Sequence, residues 1–234
     1  MTTTEKFGFA PMGIGTLLHQ GKLSVPANQR PYAWRDSEAE GLFVDLNEAI
    51  GSDATDYFLG TIVLIQGDRD GVPSIADGQQ RLATTTILLA RIRDKLIALN
   101  DEGRARSIDT KFLREVDLDS GETVSRLTLN VEDNEFFAKH ILPAPGEQTS
   151  SIPASNLRPS NKRLQKTSEI AADFIDKILS ALRADAQSAL LLRWVKFIEK
   201  SISVVVVTVF DEIGAYRIFE HLTTGAFAPV KRIF

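Results

Sequence analysis

Leu82, Thr85, Leu89, Ile92, Leu96 and Leu99 recur at alternating spacings of three and four, which predicts a long helix with one buried stripe. Ile170, Phe174, Ile178 and Leu182 give a second such stripe within a helix over 161–182, and a third helix follows over 186–200. Ser37 and Glu40 read as a capping box for a helix that buries Leu42, Leu46, Ala49 and Ile50. Ile14, Leu17 and Leu18 suggest a short helix over 13–19 that Gly21 stops, and a last short helix is expected over 215–222. Strand patterns fall at Leu23-Ser24-Val25, at 58–65, at Pro73-Ser74-Ile75-Ala76 and at 126–131. A run of four valines makes 203–210 a fully buried strand. Residues 1–11 read as a loose start.

These elements predict an α+β architecture, a small mixed sheet with chemistry on its rim followed by a helical half. Residues 143–159, rich in Pro, Ser and Thr, form the plainest loop. A boundary there gives an α+β core over 1–145 and a helical subdomain over 146–234 that contributes the strand 203–210. Arg91, Arg93 and Lys95, toward the C-terminal half of the long helix, are expected on a solvated face.

Composition narrows the chemistry. With 234 residues and 43% hydrophobic content the chain can bury a substantial core. A formal net charge of −4 means that any nucleic-acid contact must come from a local basic surface or from a partner. The chain has no cysteine, which removes disulfides, thiolate nucleophiles and Cys-ligated zinc. His19, His140 and His221 lie far apart and show no metal-ligand spacing. Without a signal pattern or an apolar run of transmembrane length, a cytoplasmic protein is expected.

Three clusters carry candidate chemistry. The first is Asp77-Gly78-Gln79-Gln80-Arg81, placed where a strand gives way to the long helix. Such a corner aims free N–H groups and the positive helix end at one spot, ready for a phosphate. Gly78 would let an anion approach the backbone, Arg81 could fork onto phosphate oxygens, and Asp77 could hold a metal or orient a water. An Asp-Gly turn with an Asp N-cap is the plainer alternative. The second cluster is Gln29-Arg30-Pro31-Tyr32-Ala33-Trp34, whose two flanking prolines, Pro26 and Pro31, impose an extended path. Arg30 and Gln29 could clamp a phosphate there while Tyr32 and Trp34 stack a base; equally, the aromatic pair could tie the loop to the core. The third is the helix start Ser160-Asn161-Lys162-Arg163-Leu164, which with Arg158 and Lys166 is the densest basic patch: a DNA contact or a solvated face. Asp211 and Glu212 read as turn residues rather than metal carboxylates.

In order, Val25-Pro26-x-x-Gln29-Arg30-Pro31-Tyr32-x-Trp34, Tyr57-Phe58-Leu59-Gly60-Thr61-Ile62-Val63, Asp77-Gly78-Gln79-Gln80-Arg81-Leu82 and Ser160-Asn161-Lys162-Arg163-Leu164 resemble the GmrS-like N-terminal domain of GmrSD-type, modification-dependent restriction enzymes. The likeness runs from about residue 14 to residue 222. It implies a ParB/sulfiredoxin-like core and a nucleoside-triphosphatase and sensor domain of prokaryotic anti-phage defence. In that family the Asp-Gly-Gln-Gln-Arg motif is the hydrolysis signature, which assigns Asp77, Gly78, Gln79, Gln80 and Arg81. The Gln-Arg-x-Tyr-x-Trp motif shares that pocket or a neighbouring DNA-sensing one, which assigns Gln29, Arg30, Tyr32 and Trp34. The implied cofactors are Mg²⁺, at Asp77, and GTP or ATP. The implied partners are DNA, modified or of phage origin, and a nuclease; a homodimer is open.

On these expectations Gly78–Gln80 amides cradle phosphate, Gln79 or Gln80 aligns water, and Arg81 with Arg30 neutralises developing charge. The rival readings are a non-hydrolysing sensor of modified DNA and an interaction-only remnant. Near the end, Phe219-Glu220-His221-Leu222-Thr223-Thr224-Gly225 departs from the family's Phe-Glu-x-Leu-Asn-x-x-Gly pattern, and no nuclease motif follows. A stand-alone subunit or a truncated or frame-shifted relative is expected, with the apolar stretch 227–234 as a docking surface.

Overall fold

The structure, a computed structural model, describes residues 8–66, 71–147, 154–211 and 214–215. In chain order the elements are β1 (Gly8–Gly13), α1 (Ile14–His19), β2 (Leu23–Ser24), α2 (Asp36–Gly51), β3 (Tyr57–Ile65), β4 (Ser74–Asp77) and α3 (Gln79–Ala98). There follow α4 (Glu102–Ile108), β5 (Arg114–Val116), β6 (Thr123–Ser125), β7 (Leu127–Thr128), α5 (Asn134–Phe136), α6 (Pro159–Leu179), α7 (Ala184–Lys200) and β8 (Ile202–Val209). The architecture is the α+β one expected.

Six strands form a mixed sheet in the order β1-β8-β3-β4-β2-β7, and β5 and β6 make a separate hairpin. The valine strand β8 sits between β1, antiparallel to it, and β3, parallel to it. Its side chains alternate as a pleated strand requires. Ile202, Val204 and Val206 join Ile62, Leu64 and Ile75 in the main core, while Val207 and Val209 meet Val63 and Ala215 in a smaller cluster. α3 carries the main core, from Leu82 through Ile87, Leu88, Leu89 and Ile92 to Leu96, and packs against α4 and α6. No helix among the described residues is long and apolar enough to cross a membrane.

Several expectations change. Residues 8–13 are not loose: they form an edge strand paired with β8 from Gly8↔Thr208 to Gly13↔Ser203. Pro11 and two glycines hid it, and an edge position is where a strand tolerates a proline. α2 begins at Asp36, and the carboxylate that closes its first turn is Glu38, which accepts the Arg35 N–H at 2.6 Å. Ser37 and Glu40 are exposed. The buried stripe of α6 runs through Leu164, Ala171, Ile175 and Leu179 beside Ile170, while Phe174, Ile178 and Leu182 pack at its margin. Of the expected strand 126–131, only Leu127–Thr128 pairs, with β2.

The largest correction concerns Arg93. It is 1% exposed, not solvated. Its Nη1 donates to Asp109 Oδ1 at 2.7 Å and its Nη2 to Asp94 at 2.7 Å. Arg114 reaches the other oxygen of Asp109 through Nη2 at 2.6 Å, giving a buried Arg–Asp–Arg triad between α3 and the π-helical turn Asp109–Leu113. Arg91 is half-buried and donates to Ile141 O, and Lys95 pairs with Asp176 near the surface. The expected helix 215–222, Glu212 and the stretch 227–234 lie outside the described residues, Ala215 excepted.

Candidate nucleotide and phosphate site

β4 ends at Asp77, Gly78 turns the chain, and α3 begins at Gln79. The turn needs glycine. Gly78 has φ +94°, and a Cβ there would meet Ile62 Cδ1 at 2.2 Å. Gly78, rather than Asp77, is the N-cap, so the Asp77 carboxylate is left for other partners. Among the described residues the N–H groups of Gln79, Gln80 and Arg81 have no acceptor; the first backbone bond to Gly78 O comes from Leu82, at 3.1 Å. These are the orphan donors of a helix start.

Arg81 is fixed from two sides. Its Nη2 lies 3.2 Å from Asp77 Oδ2, and its Nη1 donates to Leu59 O at 3.4 Å. Space for the guanidinium comes from Gly60, at a bulge in β3 with φ +122°, where a Cβ would stand 2.1 Å from Arg81 Nη1. The Asp77–Arg81 pair is half-exposed and leaves Asp77 Oδ1 without a partner among the described residues.

The loop 29–34 lies across this corner, pinned by amide side chains. Gln80 Oε1 accepts the N–H of Ala33 at 2.8 Å and of Trp34 at 3.3 Å. Gln79 Nε2 donates to Arg30 O, and Gln29 Nε2 to Ala76 O. Both glutamines of the corner are buried, at 8% and 6% exposure. They hold the loop first, and Gln80 Nε2 and Gln79 Oε1 remain without protein partners among the described residues.

The corner and the loop thus converge on one cavity of about 370 Å³, lined by Gln29, Arg30, Trp34, Asp77, Gly78 and Arg81 together with the two glutamines and Ala76. Arg30 and Arg81 outnumber Asp77 there, so the lining favours an anion. One predicted residue of the loop, Tyr32, stands elsewhere. Tyr32 is 3% exposed and its hydroxyl meets Thr84 Oγ1 at 2.7 Å and Thr167 Oγ1 at 3.2 Å. Burial pushes its phenol above the ordinary tyrosine range. Tyr32 therefore anchors the loop to the core and offers no face to a base; Trp34, half-buried on the cavity wall, does. The basic helix start divides likewise. Lys162 and Arg163 point to solvent, whereas Asn161 is buried and donates to Asp133 Oδ1 at 3.1 Å. None of the three lines the cavity. Asp211 Oδ1 accepts the Gly214 N–H at 2.7 Å, the turn role expected of it.

Sequence reasoning missed Gly60, Asn130 and Asp133. Asn130 Nδ2 donates to Gln29 O at 2.9 Å and Asp133 Oδ2 accepts the Tyr32 N–H at 2.6 Å. An Asn followed three residues later by an Asp signals a turn, but nothing in it says that the turn holds a loop 101 residues away.

No group of three or more His, Asp or Glu side chains able to hold a metal occurs among the described residues. Among the described residues Asp77 is the only carboxylate on the cavity wall. One carboxylate with a free oxygen fits a Mg²⁺ ion that arrives with phosphates and keeps its waters, not an ion caged by protein alone.

Fold and site together define an α+β domain with a helix-start cavity, lined by two arginines, that an arginine- and tryptophan-bearing loop closes. The chain belongs to the GmrSD restriction endonuclease N-terminal domain family, whose model matches residues 14–226. No curated protein matches it.

Proposed function

We propose that this domain binds and hydrolyses a nucleoside triphosphate, GTP or ATP, and that the nucleotide state gates DNA cleavage by a nuclease domain or subunit of a restriction system. The observation that carries the reading is the convergence of three unspent α3 N–H groups with Arg30 and Arg81 on one cavity that also holds Asp77. Its membership of a restriction-endonuclease family supplies the setting.

In this reading the phosphates lie against the N–H groups of Gln79, Gln80 and Arg81, where the helix dipole and the amides both favour negative charge. Arg81, held by Leu59 O and Asp77, is oriented before the ligand arrives, and preorganised charge is what lowers a phosphoryl-transfer barrier. Arg30, exposed on the same cavity, adds a second positive charge from the pinned loop. Mg²⁺ held by Asp77 would neutralise phosphate charge when bound. The free Nε2 of Gln80 can donate to a phosphate oxygen or an attacking water. The half-buried Trp34 offers a stacking surface for a base.

That same Trp34 surface favours a second reading, a DNA-sensing module without hydrolysis. Phosphate release from four ribonucleoside triphosphates with Mg²⁺, with and without DNA, distinguishes them when wild type is compared with Asp77→Ala. Release that disappears in the variant supports the hydrolase. A wild type that releases no phosphate under any condition, yet binds DNA, supports the sensor.

A further inference from the structure

Asp133 is 1% exposed, and no cation pairs with it among the described residues. A carboxylate sealed from water at that depth requires strong donors. It has two: the Tyr32 N–H at 2.6 Å on one oxygen and Asn161 Nδ2 at 3.1 Å on the other. Its own N–H donates to Asn130 Oδ1 at 3.1 Å, and Asn130 in turn donates to Gln29 O. The turn at 130–133 therefore grips the loop 29–34 from behind, at Gln29 and Tyr32, while Gln79 and Gln80 grip it from the cavity side, at Arg30, Ala33 and Trp34.

We infer that Asp133 is a positioning residue: its carboxylate, braced by Asn161 at the start of α6, sets the loop that places Arg30 and Trp34 on the cavity wall. The residue is not on the wall of the proposed nucleotide cavity; it lines a void of about 10 Å³ behind the loop, with Arg30, Tyr32 and both glutamines. A carboxylate suits the task because it accepts from two sides at once, whereas an asparagine accepts with one oxygen. Asn161 has a free carbonyl that can take the amide of an asparagine at 133, so Asp133→Asn preserves the bracing and Asp133→Ala abolishes it. The consequence for ligand binding rests on the nucleotide reading above; the placement of the loop does not.

The chain has two tryptophans, and Trp194 is 1% exposed, so acrylamide quenching reports Trp34. In Asp133→Ala, measured where the protein is folded, Trp34 quenching is expected to rise to that of an exposed indole. Affinity for Mg–GTP or Mg–ATP is expected to fall about tenfold, the scale of a buried N–H left unpaired. Asp133→Asn should return both readouts close to wild type, which a role confined to stability would not require. Wild-type quenching in folded Asp133→Ala overturns the inference. A wild type that binds no nucleotide defeats the functional reading alone, and the quenching still decides the positioning. If Asp133→Ala does not fold, Asn161→Ala replaces it: raised quenching supports the bracing, and unchanged quenching overturns it.

Discussion

Two polar cavities in this domain invite comparison. The larger, about 600 Å³, lies between the β5–β6 hairpin and the segment around Leu142, and its floor holds Asp109, Arg114, Glu115 and Arg126. The smaller, about 370 Å³, holds Arg30, Asp77 and Arg81. In the larger the charges are committed to one another. Asp109 takes both Arg93 and Arg114, and Arg126 meets Glu115 at 2.6 Å and donates to His19 O and Thr110 O. Arg126 Nε, which finds no partner among the described residues, is sealed from solvent. In the smaller, three backbone donors, one carboxylate oxygen and an exposed arginine are uncommitted among the described residues. On the proposed nucleotide reading, size does not mark the site; unspent hydrogen-bonding capacity on an open wall does.

The sharpest way to break this contrast is Asp109→Ala. It leaves two buried guanidinium groups facing each other, and loss of about 3–5 kcal/mol of unfolding free energy is expected in a denaturant titration, with the smaller cavity intact in the molecules that stay folded. A small loss would mean that the triad is not the structural counterpart proposed. Next comes Arg81→Ala. Turnover should fall about 10²-fold or more while stability changes little, because the group is half-exposed and its partner Asp77 can turn to water. An unchanged rate removes Arg81 from the chemistry. The finest test is Gly60→Ala. A methyl group must displace the Arg81 guanidinium or unwind the bulge, and a reduction of about tenfold in turnover is expected, smaller than deletion of the arginine itself. Equal rates would show that the placement of Arg81 by β3 is immaterial.

What could be read from the chain follows from distance. The strand–glycine–helix corner was legible because its pattern is local: apolar β4, a glycine, then a stripe of period 3.6 from Leu82 to Leu96. The corner's meaning as half of a cavity came only through the family resemblance, not from local pattern, because the other half lies on a loop joined to it by side chains 46 to 49 residues away. The burial of Arg93 was hidden for the same reason. Its acid, Asp109, sits in an aperiodic stretch that folds as a π-helical turn, and no helix-face argument reaches it. Tyr32 and Trp34 look alike in sequence as aromatic neighbours two positions apart. Strict alternation along an extended strand would put positions 32 and 34 on the same side; the irregular loop instead sends one to Thr84 and Thr167 in the core and leaves the other on the wall.

The arrangement of β8 also has a consequence for synthesis. This strand is made after nearly every other described element, yet it is the seam between β1 and β3. While the ribosome is still extending the chain, β1 has no partner, and β3, which carries the Gly60 bulge, is held on one side only. Pairings of such long sequence separation form slowly and leave apolar strands open to wrong neighbours in the meantime. Arg81 thus gains its finished seat only after the valine run has emerged, so a nascent chain stopped short of Ile202 has the signature residues but not the machine.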